Sequence, residues 1–220
     1  LAVKSFDILY RKGIRYLTFS GGEPLLHPHL FVMAAAAAQK GMRVAVVTNG
    51  STLTPSNIEK IIESGIRTVF ISIDSPNADA HEKNRGLPGV FDRIRKAITA
   101  LRAADIRTIA SVTINRLIDD FDALAATLKE LGFETVTFTY PKTALSSTSL
   151  VYSEDSRLID FTPDELVERL REVHSMKNDV VCRDHSIQEI IPQELIPYRE
   201  AIRMAFMRIE QNMVISSWTD

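Results

Sequence analysis

The chain has 220 residues, 45% hydrophobic and 25% charged, with a net charge of −2 spread over both signs. That length and balance describe a soluble globular chain with one sizeable core, and they exclude a broad electrostatic pull toward nucleic acid or anionic membrane. No apolar run approaches the roughly 18 residues of a membrane span, and a single cysteine, Cys182, excludes an internal disulfide framework and points to a reducing, cytoplasmic setting.

Val3, Phe6 and Tyr10 fall at helical spacing, so the chain is expected to open in a helix that Gly13 ends. Tyr16 to Phe19 are β-formers bounded by breakers and predict a buried strand, which stops in Ser20-Gly21-Gly22-Glu23-Pro24. Gly21 and Gly22 carry no Cβ, so a ligand can lie on their backbone; Glu23 offers an anion, and Pro24 fixes the exit. His27 and His29 flank Pro28 in what reads as a solvated turn. Leu30 to Lys40 is Ala-rich and helical, with Gly41 as its stop.

Met42 to Val47 predicts a second strand ending in Thr48-Asn49-Gly50. Thr54-Pro55 reads as an N-cap with proline at the first helical position, and Ile58, Ile61 and Ile62 supply that helix's apolar face. Arg67 to Ile73 is a third strand ending in Asp74-Ser75, followed by a longer polar connection from Pro76 to Gly89 that contains His81 and Asn84-Arg85-Gly86. Phe91, Ile94, Ile98 and Leu101 mark a helix over Val90–Ala104, and Arg107 to Ile114 a fourth strand. Phe121, Leu124, Leu128 and Leu131 repeat the helical pattern up to Gly132. Glu134 to Thr139 is a fifth strand.

Beyond Pro141 the pattern changes. Thr143 to Ser156 reads as a loop near the open face, Thr162-Pro163-Asp164-Glu165 as a capping box, and Leu166, Leu170 and Val173 as the inward stripe of its helix. Val180 to Cys182 is a candidate sixth strand, and Tyr198 to Gln211 a final amphipathic helix. Strands alternating with helices demand a parallel sheet with right-handed crossovers. In such folds chemistry collects where the carboxyl ends of the strands meet. Those ends carry Ser20, Gly21, Gly22 and Glu23, then Thr48 and Asn49, then Ser72 and Asp74, then Thr113 and Asn115, then Tyr140, a set of small polar groups that also suits plain strand termination.

In this order and at these separations, Ser20-Gly21-Gly22-Glu23-Pro24-Leu25-Leu26, Thr48-Asn49-Gly50, Ser72-Ile73-Asp74 and His81…Arg85-Gly86 resemble the radical S-adenosylmethionine (radical SAM) enzymes over about residues 1–141. The resemblance implies an α/β fold, a partial TIM-type (β/α)6 barrel of parallel strands whose first strand and cluster loop are missing. Residues 1–141 would form the core, and 142–220 the last barrel elements and a C-terminal helical extension. It implies S-adenosyl-L-methionine as cofactor, with Gly21, Gly22 and Glu23 on the methionine ammonium, Ser72 and Asp74 on the ribose or carboxylate, and Arg85 on that carboxylate. Ser111 and Thr113 would line the adenine or ribose, with Thr48 and Asn49 at the mouth.

The family's three-cysteine motif, which holds a 4Fe-4S cluster, is absent, and Cys182 alone does not replace it. With its non-Met start, the sequence reads as a fragment of an enzyme that, when complete, generates a 5′-deoxyadenosyl radical for hydrogen abstraction from a small-molecule or peptide substrate. Such an enzyme would be served by a reductant such as a flavodoxin or ferredoxin. A clusterless nucleotide-binding or partner-docking protein on the same scaffold is the alternative. An unrelated barrel enzyme would want a Schiff-base lysine or a late phosphate loop, and neither is evident. Cys182 with His185 is half of a zinc site without its second pair, and Met204, Met207 and Met213 read as core filler. Arg93, Arg95, Lys96 and Arg102 decorate a helix surface and do not suggest nucleic acid.

Overall fold

The computed structural model describes residues 2–139, 158–159, 161–175, 200 and 203. The chain divides into two compact units, Leu1–Tyr140 and Pro141–Asp220.

The first unit runs α1 (Ala2–Arg11), β1 (Tyr16–Phe19), a 3-10 turn (Pro24–Leu26), α2 (Leu30–Gln39), β2 (Arg43–Thr48), α3 (Pro55–Glu63) and β3 (Ile66–Ile73). It continues through α4 (Ala78–Arg85), α5 (Val90–Ala103), β4 (Arg107–Thr113), α6 (Phe121–Leu131) and β5 (Val136–Thr139). All four pairings are parallel and the strand order is β1-β2-β3-β4-β5. An order that never reverses, joined by right-handed crossovers, puts every connecting helix on the same face and curls the sheet. The result is a half-barrel.

Register assigns the two faces. Val46, Val69 and Val112 belong to one face, with Thr48 and Ile71 in register beside them; Val46, Val69, Ile71, Ile73 and Val112 are all fully buried. The helices close over this face with Ala34, Ile61, Ile94, Ala97 and Leu101, also fully buried. The opposite face carries Val47, Phe70, Ser72, Ser111 and Thr113, each half-buried. At Gly50, with φ +84°, a Cβ would lie 2.8 Å from Ile94 Cγ1, so only glycine lets the β2–α3 turn approach α5.

Two expectations are corrected. β1 is not a buried strand: among the described residues it has a neighbour on one side only, and Tyr16 is 67% exposed. β-Propensity sets the strand, whereas burial of its side chains depends on what packs over the two faces of the sheet there. The polar connection after β3 contains a helix, α4, capped by Asn77 through Ala80 N at 2.9 Å and stopped at Gly86 with φ +63°. Its surface is polar nearly all round, so hydrophobic period gives no sign of it; the Asn cap and Gly stop are the legible signals.

In the second unit, α7 (Pro163–Ser175) begins with the expected reciprocal cap. Thr162 N donates to Glu165 Oε2 at 2.8 Å and Glu165 N to Thr162 Oγ1 at 3.2 Å. Leu166, Leu170 and Val173 are buried. The loop over 143–156, the candidate strand at Val180–Cys182, His185, the three methionines and, apart from Glu200 and Arg203, the helix over 198–211 lie outside the described residues.

Candidate functional site

At the end of β1 the chain turns on Gly21, whose φ is +143° and whose missing Cβ would meet nothing within 4 Å; the same open space surrounds Gly22. The backbone here is bare. Glu23 follows in extended conformation and caps the 3-10 turn, its Oε1 accepting from Leu25 N at 3.2 Å. Oε1 also accepts from Thr48 Oγ1 at 2.8 Å and Thr52 Oγ1 at 3.4 Å, and Oε2 accepts from Asn49 N at 2.8 Å. One carboxylate therefore staples the end of β1 to the end of β2, and Oε2 keeps lone-pair capacity beyond its single donor. Thr48 lies on the helix-covered face, 2% exposed, with its hydroxyl shared between Glu23 and Gly50 N.

The end of β3 is built around Asp74. Its carboxylate accepts from Arg85 Nε at 2.7 Å and Nη2 at 2.6 Å, a bidentate pair, and from Asn84 Nδ2 at 3.0 Å. Its amide donates to His81 Nδ1 at 3.1 Å, and its carbonyl accepts from Asn115 Nδ2 at 2.9 Å. Asn115 also donates to Thr113 O and accepts from Leu117 N, so it joins the ends of β3 and β4. Arg85 Nη1 has no partner among the described residues.

His81 is wholly buried against the Phe91 ring, 5.0 Å between centroids. Burial pushes its pKa down to about 4, against the pull of Asp74, so the imidazole is neutral at physiological pH. Glu82, next along α4, accepts from Gly89 N at 2.7 Å and Phe91 N at 3.1 Å, which caps α5 and lowers the Glu82 pKa.

On the open face, Ser72 stands in register with Ser111, Ser111 with Thr137, and Thr113 with Thr139, whose hydroxyls meet at 3.2 Å. The Ser72 and Ser111 hydroxyls make no hydrogen bond among the described residues. Thus Glu23, Thr48 and Asn49 meet directly, Asp74 and Arg85 meet directly, and Ser72, Ser111 and Thr113 share one face. His81, Asn84 and Asn115 complete the network; the sequence reading put His81 and Asn115 near the strand ends without a role, because the turn of α4 that aims His81 at Asp74 is not visible in a polar segment.

A curled sheet of five parallel strands with a carboxylate, a guanidinium and a row of hydroxyls at its carboxyl ends is a partial TIM-type α/β barrel with a polar rim. The family follows from sequence: a family model described as the radical SAM superfamily matches residues 2–128, and the chain belongs to that superfamily. It is 38% identical over 117 residues to an AdoMet-dependent heme synthase of Methanosarcina barkeri, a match covering 53% of this chain and 34% of that protein. It is 30% identical over 171 residues to an Fe-coproporphyrin III synthase of the same organism, covering 76% and 42%. The chain thus spans about a third of the length of the first of these relatives. Streptococcus suis SuiB, solved bound to its precursor peptide SuiA, shares the fold with a TM-score of 0.60 at 15% identity, over 79% of this chain and 37% of SuiB.

The family's cofactors are S-adenosylmethionine and a 4Fe-4S cluster. The strand ends fit the first: bare glycine backbone, an anion with spare acceptor capacity, a cation with an unused amino group and unpaired hydroxyls match the groups of an amino-acid-bearing nucleoside. They do not fit the second. The sequence holds one cysteine, and among the described residues no group of three His, Cys, Asp or Glu side chains could hold a metal.

Proposed function

We propose that these strand ends form the S-adenosylmethionine site of a radical SAM enzyme. The observation that carries this reading is the pairing of spare capacities: Glu23 Oε2 at the end of β1 and Arg85 Nη1 just beyond β3, with the Ser72 and Ser111 hydroxyls, unbonded among the described residues, side by side on β3 and β4. Two strand spacings separate β1 from β3, about 10 Å, close to the reach of an ammonium and a carboxylate on one carbon with a hydrogen bond at each end. On this reading the backbone of Gly21 and Gly22, with Glu23, binds the methionine ammonium. Arg85 binds the carboxylate, Ser72 the ribose, and Ser111 and Thr113 the nucleoside edge. Asn49 stands at the mouth. Thr48 and Asp74 act from behind, by holding Glu23 and Arg85 in place.

When bound and given one electron by a reductant, S-adenosylmethionine would supply the hydrogen-abstracting chemistry of the family. The chain's own residues bind it, orient it and limit its contact with water. A small-molecule or peptide substrate would lie against the face of Phe70 and Val47. The sequence relatives are named for heme and Fe-coproporphyrin III synthesis and the structural neighbour was solved with a peptide, so tetrapyrroles and peptides are the two classes to test. A flavodoxin or ferredoxin is the reductant to try. Titration calorimetry on the full chain decides the cofactor reading. S-adenosylmethionine binds the wild type, and Glu23→Ala lowers the affinity on the order of tenfold or more, because it removes both the ammonium partner and the β1–β2 staple. Undiminished affinity in Glu23→Ala rejects the site.

A further inference from the structure

His81 is an odd choice for the space it fills. A fully buried imidazole leaves Nε2 without a hydrogen-bond partner among the described residues, and an unmet buried polar atom costs stability. A leucine or phenylalanine would pack against Phe91 without that cost. What imidazole adds is an acceptor at Nδ1, and the group it serves is specific. The Asp74 amide lies one residue past the last paired position of β3, so the sheet offers it no partner, and His81 Nδ1 supplies one at 3.1 Å.

His81 and Arg85 are four residues apart on α4, so both side chains lie on one face of that helix and both meet Asp74. With the amide held by His81, the carbonyl by Asn115 and the carboxylate by Arg85 and Asn84, Asp74 is pinned at each of its polar groups. The guanidinium is fixed in its plane by that carboxylate, which leaves Nη1 in a defined direction.

We infer that His81 is a positioning residue: by accepting the Asp74 amide it orients the carboxylate that aims Arg85, and so sets the site's affinity for a ligand carboxylate without touching the ligand. The inference rests on the cofactor reading above, in which Arg85 meets the carboxylate of S-adenosylmethionine.

The test compares two ligands on the full chain by calorimetry: S-adenosylmethionine, and methylthioadenosine, which keeps the nucleoside but has no carboxylate. His81→Leu is expected to weaken S-adenosylmethionine on the order of tenfold and to leave methylthioadenosine unchanged. His81→Asn, whose Oδ1 can stand where Nδ1 does, restores the affinity. In an Arg85→Ala background, His81→Leu adds no further loss, because the two residues act on one contact. Equal weakening of both ligands, additive losses, or no loss at all overturns the inference. A readout on the wild type guards against a misfolded variant: nitrogen NMR of histidine-labelled protein should show His81 neutral with its proton on Nε2, and a proton on Nδ1 overturns the proposal. Wild-type protein that binds neither ligand removes the cofactor reading itself and takes this inference with it, a result distinct from binding that His81 does not modulate.

Discussion

Asp74 and Glu23 show how differently two carboxylates at the ends of β3 and β1 are used. Asp74 is consumed by protein partners, whereas Glu23 is held by donors from β2 and still has acceptor capacity. Near them, His81 makes stability depend on pH. Its native pKa, about 4, lies below the ordinary 6.5, so between those values the unfolded chain takes up a proton that the native protein refuses. Stability is complete above pH 6.5 and falls as pH drops toward 4, by at most about 3 kcal/mol. Asp74 and Glu82 oppose the shift and Arg85 assists it. Asp7, lowered by Lys40, and Glu82, lowered by the Gly89 amide, are carboxylates held below their usual range. They contribute stability at neutral pH and lose it only as the medium falls through their native values. Urea midpoints at about pH 7 and about pH 5 should therefore differ in the wild type and differ less in His81→Leu.

A second prediction at this scale concerns glycine. Gly50→Ala drives a methyl into Ile94 at a positive φ and should cost about 1–3 kcal/mol in urea unfolding. Gly21→Ala meets open space and bears only the backbone strain of its φ, so its cost in stability should be smaller and its effect on S-adenosylmethionine affinity larger. The reverse ranking would contradict the assignment of Gly50 to packing and Gly21 to the ligand.

At the scale of elements, β1 and β3 are both strands by propensity but differ in what surrounds them. β3 lies between β2 and β4 with Val69, Ile71 and Ile73 fully buried; among the described residues β1 has β2 alone, and Tyr16 with Ile14 is exposed. Amide hydrogen exchange should separate them. The β3 amides should exchange only on global unfolding, and those of β1 facing away from β2 should exchange orders of magnitude faster. Comparable protection in the two strands would mean that the outer edge of β1 is covered. Among helices, α4 is short and polar and stands on its caps and on His81, whereas α5 and α6 stand on apolar stripes. That contrast is why the stripes could be read in advance and α4 could not.

At the scale of the first unit, the unreversed strand order delivers five carboxyl ends to one rim and the helices α2, α3, α5 and α6 that connect the strands to one face. The rim is tied together laterally by side chains, Glu23 between β1 and β2, Asn115 between β3 and β4, and the paired hydroxyls of Thr113 and Thr139 between β4 and β5. These links bind β1 to β2 and β3 to β4 and β5, while β2 and β3 are joined by their sheet pairing, so that residues of several strands are held in one rim, as a site drawing on each of them requires. The Arg102–Glu134 ion pair, by contrast, lies at the opposite ends of β4 and β5 and has no part in it.

The amino-acid sequence by itself determined the alternation of strands and helices, the parallel sheet and the rim on which Gly21, Gly22, Glu23, Ser72 and Ser111 stand, because period, glycine stops and proline starts are local signals. Tertiary structure alone decided that Thr48 faces the helices, that Asp74 spends its carboxylate on Arg85, that His81 is buried and neutral, and that, among the described residues, the side chains of β1 have too few neighbours to be buried. Each of those depends on which partner stands within about 3 Å in space or on whether a neighbouring strand is present, and neither is encoded in the spacing of residues along the chain.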